Sequence, residues 1–82
     1  MEKKPSKRFK AKLFSEAVKE KMFGEMVKHK RRIGLREFAE QANVSPATLS
    51  RVENGHIPDI ETFFNLCFWM KQSSNKFYNS NS

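Results

Sequence analysis

The stretch that decides the fold reads IGLREFAEQANVSPATLSRVENG and occupies residues 33–55. It holds two short apolar patterns at helical spacing, separated by Asn43-Val44-Ser45. Asn tolerates the left-handed backbone that ends a helix. Ser45 followed by Pro46 is a strong start signal, because Ser accepts a bond from a free amide and Pro fits the first helical position. The stretch therefore predicts two short helices joined by a tight turn.

The first helix of this pair is predicted over residues 35–43. Gly34 is its expected N-cap, Glu37 stands in the capping-box position, and Ile33 precedes them as a hydrophobic staple. The second helix is predicted over residues 45–54 and ends at Asn54-Gly55. The inward residues of the two helices are Phe38, Ala39, Ala42, Leu49 and Val52.

Helical patterns also flank this pair. From Leu13 onward apolar residues recur at helical spacing, and Gly24 leaves open whether this segment is one helix or two. Asp59 is the expected N-cap of a later helix, and Ser73 or Ser74 begins a last turn that returns Phe77 to the core. The predicted inward positions of the later helix are Ile60, Phe63, Phe64, Cys67 and Met70. The fold class is therefore all-α, a compact bundle of about five helices.

Charge divides the chain unevenly. Residues 1–36 hold thirteen Lys or Arg against four acids, and residues 37–82 hold three against five, within a net charge of +7. We expect a flexible basic arm over residues 1–12, a helical domain over residues 13–78 and a disordered tail over residues 79–82. The excess of basic residues in the N-terminal half favours polyanionic partners, although charge alone also fits a solvated tail and helix face.

Several other classes of protein are disfavoured. Cys67 is the single cysteine, and His29 and His56 lie far apart, so neither a disulfide nor a metal site is predicted. No nucleophile with a paired base and no phosphate-binding glycine loop is present, so we expect neither an enzyme nor a cofactor. We find neither a membrane span nor a signal peptide and expect a cytoplasmic, nucleoid-associated protein of bacterial or phage type.

Residues 35–55 together with Pro58-Asp59-Ile60-Glu61-Thr62-Phe63 resemble the phage repressor/Cro (XRE-type) helix-turn-helix family. The most specific part of the resemblance is Val44-Ser45, then Leu49-Ser50, then Glu53-Asn54-Gly55. It implies a lambda repressor-like domain that binds double-stranded DNA as a transcriptional regulator, most often a repressor, with residues 35–43 as the supporting helix and residues 45–54 as the recognition helix. Because a recognition helix of under three turns reads only a few base pairs, we expect the protein to act as a dimer.

The outward face of the recognition helix is predicted to read DNA. Arg51 is its one long donor and suits a bidentate contact with guanine, although a solvated or phosphate-bound arginine is the plainer alternative. Leu35 stands where many relatives have a Gln that touches DNA, which moves the contact of the supporting helix to Arg36. The predicted DNA-binding residues are Arg36, Ser45, Pro46, Ala47, Thr48, Ser50, Arg51, Asn54 and His56.

Two further assignments concern structure and assembly. The resemblance implies that Glu53 pairs with Lys28 of the first helix, where relatives usually have arginine. Phe68 and Trp69 fall outside the predicted inward stripe, which suggests a homodimer interface or, equally, cover for a thin core. The alternatives are an antitoxin that holds a toxin, an adaptor-type interaction module, or RNA and polyanion binding through the arm alone.

Overall fold

The computed structural model describes residues 8–79 and contains four α-helices, one 3-10 turn and a two-stranded sheet. The helices are α1 (Ala11–His29), α2 (Leu35–Ala42), α3 (Pro46–Glu53) and α4 (Ile60–Met70). A 3-10 turn, η1, covers Ser74–Phe77. Strands β1 (Arg8–Phe9) and β2 (Tyr78–Asn79) pair antiparallel. The all-α prediction is confirmed, with this short ladder added to it.

The helices enclose one hydrophobic core. α2 packs on α3 and α4, while α1 crosses α3, α4 and η1. Phe14 lies at the centre, with the ring of Phe63 at 5.2 Å and that of Phe77 at 4.9 Å between centroids. These offset and edge-on ring contacts hold α1, α4 and η1 together, and Phe77 returns to the core as predicted.

The first helix is a single element, which settles the question that Gly24 left open. Phe14, Val18 and Met22 lie on successive turns and are buried. Residues 8–12 differ from the predicted flexible arm, because they contain β1 and the first two residues of α1. Phe9 explains the difference, since its half-buried ring contacts Phe14 at 5.4 Å and draws this segment onto the core. The rest of the predicted arm, residues 1–7, lies outside the described residues, as do residues 80–82 of the predicted tail.

The inward face of α4 is rotated from the one predicted. Ile60 and Phe64 were expected inside, yet they are 67% and 51% exposed. Trp69 was expected outside, yet it is only 8% exposed, because its indole packs on Phe38 and its Nε1 donates to Gln41 Oε1 at 3.1 Å. The buried residues of α4 are Phe63, Leu66, Cys67, Trp69 and Met70.

All four helices end in a residue with left-handed backbone, followed by the hydrogen bonds of a Schellman motif. At α2 this residue is Asn43, with φ of 62°, which confirms the predicted end of the supporting helix. At α3 it is Gly55, with φ of 94°. In the part of the chain described, no helix is long and apolar enough to cross a membrane.

Candidate nucleic-acid interface

The turn between α2 and α3 fixes the relative orientation of the two helices. After Asn43, the half-buried Val44 packs against the core, and Ser45 has extended backbone. Asn65 of α4 donates from Nδ2 to the Asn43 carbonyl oxygen at 3.3 Å. The turn is therefore held by the packing of Val44 and by the hydrogen bond from α4. These contacts fix the orientation of α3 relative to α2.

Ser45 caps the beginning of α3. Its Oγ accepts the Thr48 backbone N–H at 3.1 Å and donates to Thr48 Oγ1 at 2.8 Å. Pro46 occupies the first helical position, as predicted. Both hydroxyls are thus engaged with each other at the helix start, although the Ser45 side chain remains exposed. A DNA contact from either hydroxyl would be made by a group that the cap has already positioned.

The two sides of α3 differ sharply in burial. Leu49 and Val52 are buried in the core and anchor the helix. Ala47 and Arg51 are exposed on successive turns of the opposite side, with Pro46 exposed beside them and Ser50 half-buried. Within residues 8–79 the Arg51 guanidinium forms no hydrogen bond or ion pair with the protein. Its donors are available to a ligand.

The C-terminal end of α3 is closed by Asn54 and the residues after it. Asn54 Nδ2 donates to the Ser50 carbonyl at 2.9 Å, and the His56 backbone N–H donates to the Arg51 carbonyl at 3.0 Å. The positive φ of Gly55 permits this reversal without the steric cost of a side chain. Asn54 therefore helps to end α3, in addition to its predicted contact with DNA. The His56 side chain is exposed.

The N-terminal end of α2 is basic and exposed. Arg36 lies in the first turn with its side chain in solvent, whereas Leu35 beside it packs partly against the core. Glu37 does not complete the predicted capping box: Gly34 is the N-cap without any side-chain cap bond, and Glu37 pairs instead with Arg31 at 2.7 Å. That pairing lowers the pKa of the Glu37 carboxyl below its usual 4.5. It also leaves Arg36 as the free cation of this turn within the described residues.

Glu53 does not form the predicted pair with Lys28. Among the described residues, no ion pair joins them, and the Glu53 backbone carbonyl accepts a 2.8 Å hydrogen bond from Ser15 Oγ. Ser15 and Lys28 stand thirteen residues apart on α1, which is about 20 Å along the helix axis. Because α3 ends beside the beginning of α1, Lys28 is out of reach. Sequence reasoning missed this contact, since no local pattern links positions 38 residues apart.

Only some of the predicted DNA-binding residues share one surface. The exposed residues of α3 lie together on the side of the helix opposite Leu49 and Val52. Phe68 is 86% exposed on α4 and stays available to a partner, while the burial of Trp69 removes it from the predicted dimer interface.

Comparison with known proteins gives one family match. The helix-turn-helix family model HTH_3 matches residues 28–67, a range that contains α2, α3, the turn between them and α4 up to Cys67. No curated protein and no solved structure matches. The matched range contains the deciding stretch of sequence and the exposed face of α3. Residues 28–67 of the chain are a helix-turn-helix domain of the HTH_3 (XRE/Cro) type, and a domain of this type implies DNA as a partner.

Proposed function

We propose that this chain is a transcriptional repressor that binds a specific double-stranded DNA sequence as a homodimer, reading bases with the outer face of α3. The observation that carries the proposal is Arg51, which is exposed opposite the buried Leu49 and Val52 and has no hydrogen-bond or ion-pair partner among residues 8–79. Its fork of donors fits O6 and N7 of guanine in the major groove. Repression follows as the simplest consequence, because a bound domain blocks a promoter that overlaps its site.

The neighbouring residues supply the other contacts in this proposal. The Ala47 and Thr48 methyl groups suit the methyl of thymine, while the hydroxyls of Thr48 and Ser50 suit phosphate. Arg36 holds the DNA backbone from the first turn of α2. Phosphate contacts at the two ends of α3 are made by Ser45 and Pro46 on one side and by Asn54 and His56 on the other.

Selection of binding sites from a random pool of duplex DNA tests sequence specificity. We expect an enriched motif with two related half-sites about one helical turn apart. Specific affinity should exceed affinity for scrambled duplex by a factor on the order of a thousand or more. Recovery of a motif-free pool, with equal affinity for RNA and duplex DNA, would reduce the chain to a polyanion binder. A reporter with the selected motif across its promoter then tests repression.

The proposed dimer uses the outer stripe of α4, defined as Ile60, Phe64 and Phe68. These side chains stand four residues apart on successive turns and are all exposed. A second copy fits this stripe in antiparallel orientation. With the two-fold axis at the level of Leu66, Phe64 of each chain lies opposite Phe68 of the other.

Charge supports the same register. In this pairing Glu61 of one chain lies opposite Lys71 of the other, twice by symmetry, and both side chains are exposed. Phe68 is 86% exposed and Phe64 51%, so both rings keep apolar surface that a second copy can bury. In this register the stripe is therefore complementary to itself in both hydrophobicity and charge.

Sedimentation velocity tests this dimer. Phe68→Glu should give a monomer with unchanged helicity, whereas Phe23→Glu, at an exposed phenylalanine of α1, should leave the dimer intact. Glu61→Lys should weaken association, and adding Lys71→Glu should restore it because the opposed charges are exchanged. A wild type that stays monomeric at high micromolar concentration, free and on its selected DNA, would contradict the proposal.

A protein-interaction module is the second candidate function, and the exposure of Phe68 is the observation that favours it. An antitoxin or adaptor would bury the outer stripe of α4 against a different protein. Failure of the wild type to bind any duplex at low salt, together with co-purification of a neighbouring gene product lost in Phe68→Glu, would favour this function over repression.

A further inference from the structure

A cleft separates the beginning of α1 from the end of α3. Lys12, Ser15 and Lys19 line its α1 side, and Glu53, Asn54 and Gly55 line its α3 side. The two sides are fixed by the hydrogen bond from Ser15 Oγ to the Glu53 carbonyl, 2.8 Å long and made by a buried hydroxyl. The beginning of α1 is therefore joined directly to the C-terminal end of the recognition helix.

Two lysines flank this hydrogen bond on α1. Lys12 precedes Ser15 by one turn and Lys19 follows it by one turn, so the three lie on the same face of the helix. Both lysine side chains are exposed, and neither ammonium forms an ion pair or hydrogen bond within the described residues. Two free cations thus stand beside the half-buried Glu53, which leaves the cleft with a positive balance of charge.

The cleft lies where the DNA backbone is expected to pass. In helix-turn-helix complexes the recognition helix lies in the major groove between two phosphate backbones, and in the homeodomain variant the C-terminal end of that helix contacts the backbone. Asn54, which lines the cleft, is exposed at that end. Lysine suits such a place, because its flexible stem delivers a point charge to phosphate without demanding a fixed geometry.

We propose that Lys12 and Lys19 form a phosphate-binding edge of the DNA interface, on a part of α1 that precedes the matched domain. The ligand is the sugar-phosphate backbone that borders the groove at the C-terminal end of α3. This edge rests on the proposed DNA-binding function. It adds affinity that does not depend on base sequence, and it extends the interface from the helix pair to α1.

The test is the salt dependence of DNA affinity for the full chain on its selected duplex. The double variant Lys12→Gln/Lys19→Gln should lower the slope of log K against log salt by about 1.8, since each neutralised phosphate contributes about 0.9. Affinity at low salt should fall alike on selected and scrambled duplexes. The matched control is Lys28→Gln/Lys30→Gln, which removes two exposed lysines from the opposite end of α1 and should change the slope less.

The outcomes separate this inference from the function on which it rests. A wild type without DNA affinity overturns both. A wild type that binds, with the same slope in the Lys12/Lys19 variant or an equal loss in the control variant, overturns this edge alone. A lower melting temperature with an unchanged slope also overturns it, because the lysines would then serve only to balance Glu53 and the C-terminal end of α3.

Discussion

Ser45 offers a way to separate the stability of the recognition helix from its contact with DNA. Ser45→Ala removes the acceptor of the Thr48 N–H, a bond of 3.1 Å at the start of α3. The loss of such a cap costs about 1 kcal/mol. Because α3 anchors Leu49 and Val52 in the core, the cost should fall on the whole domain. For a chain of this size, the melting temperature should drop by roughly 4–8 °C.

Ser45→Asp supplies the contrasting variant. Aspartate caps helices about as well as serine, so the melting temperature should stay near that of the wild type. Its carboxylate would lie at the N-terminal end of α3, where Ser45 contacts phosphate in the proposed complex. Affinity should therefore fall on every duplex. Ser45→Gly, with an expected cost of only a few tenths of a kcal/mol, is the control for the cap.

Thermal melting by circular dichroism and fluorescence polarisation at fixed salt measure the two effects. An unchanged melting temperature in Ser45→Ala would refute the capping role. Undiminished DNA affinity in Ser45→Asp would show that residue 45 lies away from the DNA backbone. If Ser45→Ala and Ser45→Asp each lowered both the melting temperature and the DNA affinity, the two roles of Ser45 would not be separable.

Three further predictions follow from the backbone and the ionisable groups. Lys30→Gly should raise the free energy of unfolding by about 0.5–1 kcal/mol in urea denaturation, because residue 30 has φ of 56° and glycine adopts that conformation without steric cost. The pKa of Glu37, lowered by Arg31, should rise toward 4.5 in Arg31→Ala by NMR titration; in the wild type, its contribution to stability is present above the ordinary pKa and lost as pH falls through the lowered one. Burial raises the pKa of the Cys67 thiol to about 11, so alkylation at pH 8 should be slow until urea unfolds the chain, and the stability from the buried neutral thiol should be lost only as pH rises through the range from 9 to 11.

Local signals made the helix-turn-helix predictable from sequence. These signals are the left-handed Asn43, the Ser45 cap, the proline at the first position of α3 and Gly55 after the end of α3, and each acts on residues only a few positions away. Leu49 and Val52 are buried as their spacing predicts. Such short-range chemistry does not depend on the rest of the fold, so the deciding stretch could be interpreted alone.

Long-range packing caused the errors. The face of α4 turns inward at Leu66 and Trp69 because Trp69 finds Phe38 and Gln41 on α2, a pairing that apolar spacing does not encode. An apolar residue on every turn of α4 left more than one face compatible with burial. The contact of Phe9 was not predictable for a related reason, since Phe9 gains its partners only when the chain folds back on Phe14.

The ion pair that the resemblance implied between α1 and α3 is not compatible with the packing of these helices. It assigned Lys28 to Glu53, whereas the end of α3 meets Ser15 at the beginning of α1. The cause is the direction of α1 across α3, which is set by the burial of Phe14 and Val18 on successive turns. An ion pair between two helices depends on how the helices cross, and neither helix sequence alone determines that crossing.

Arg51 is central to the proposed function, in which the outer face of α3 reads DNA sequence. The most direct measurement compares the affinities of wild type and Arg51→Ala for the selected duplex and for a scrambled duplex at the same salt concentration. We expect a loss of about 1–3 kcal/mol on the selected duplex, roughly 5- to 150-fold, and little loss on the scrambled one, with an unchanged melting temperature. Equal losses on both duplexes would make Arg51 a phosphate contact, and no loss on either would contradict the claim.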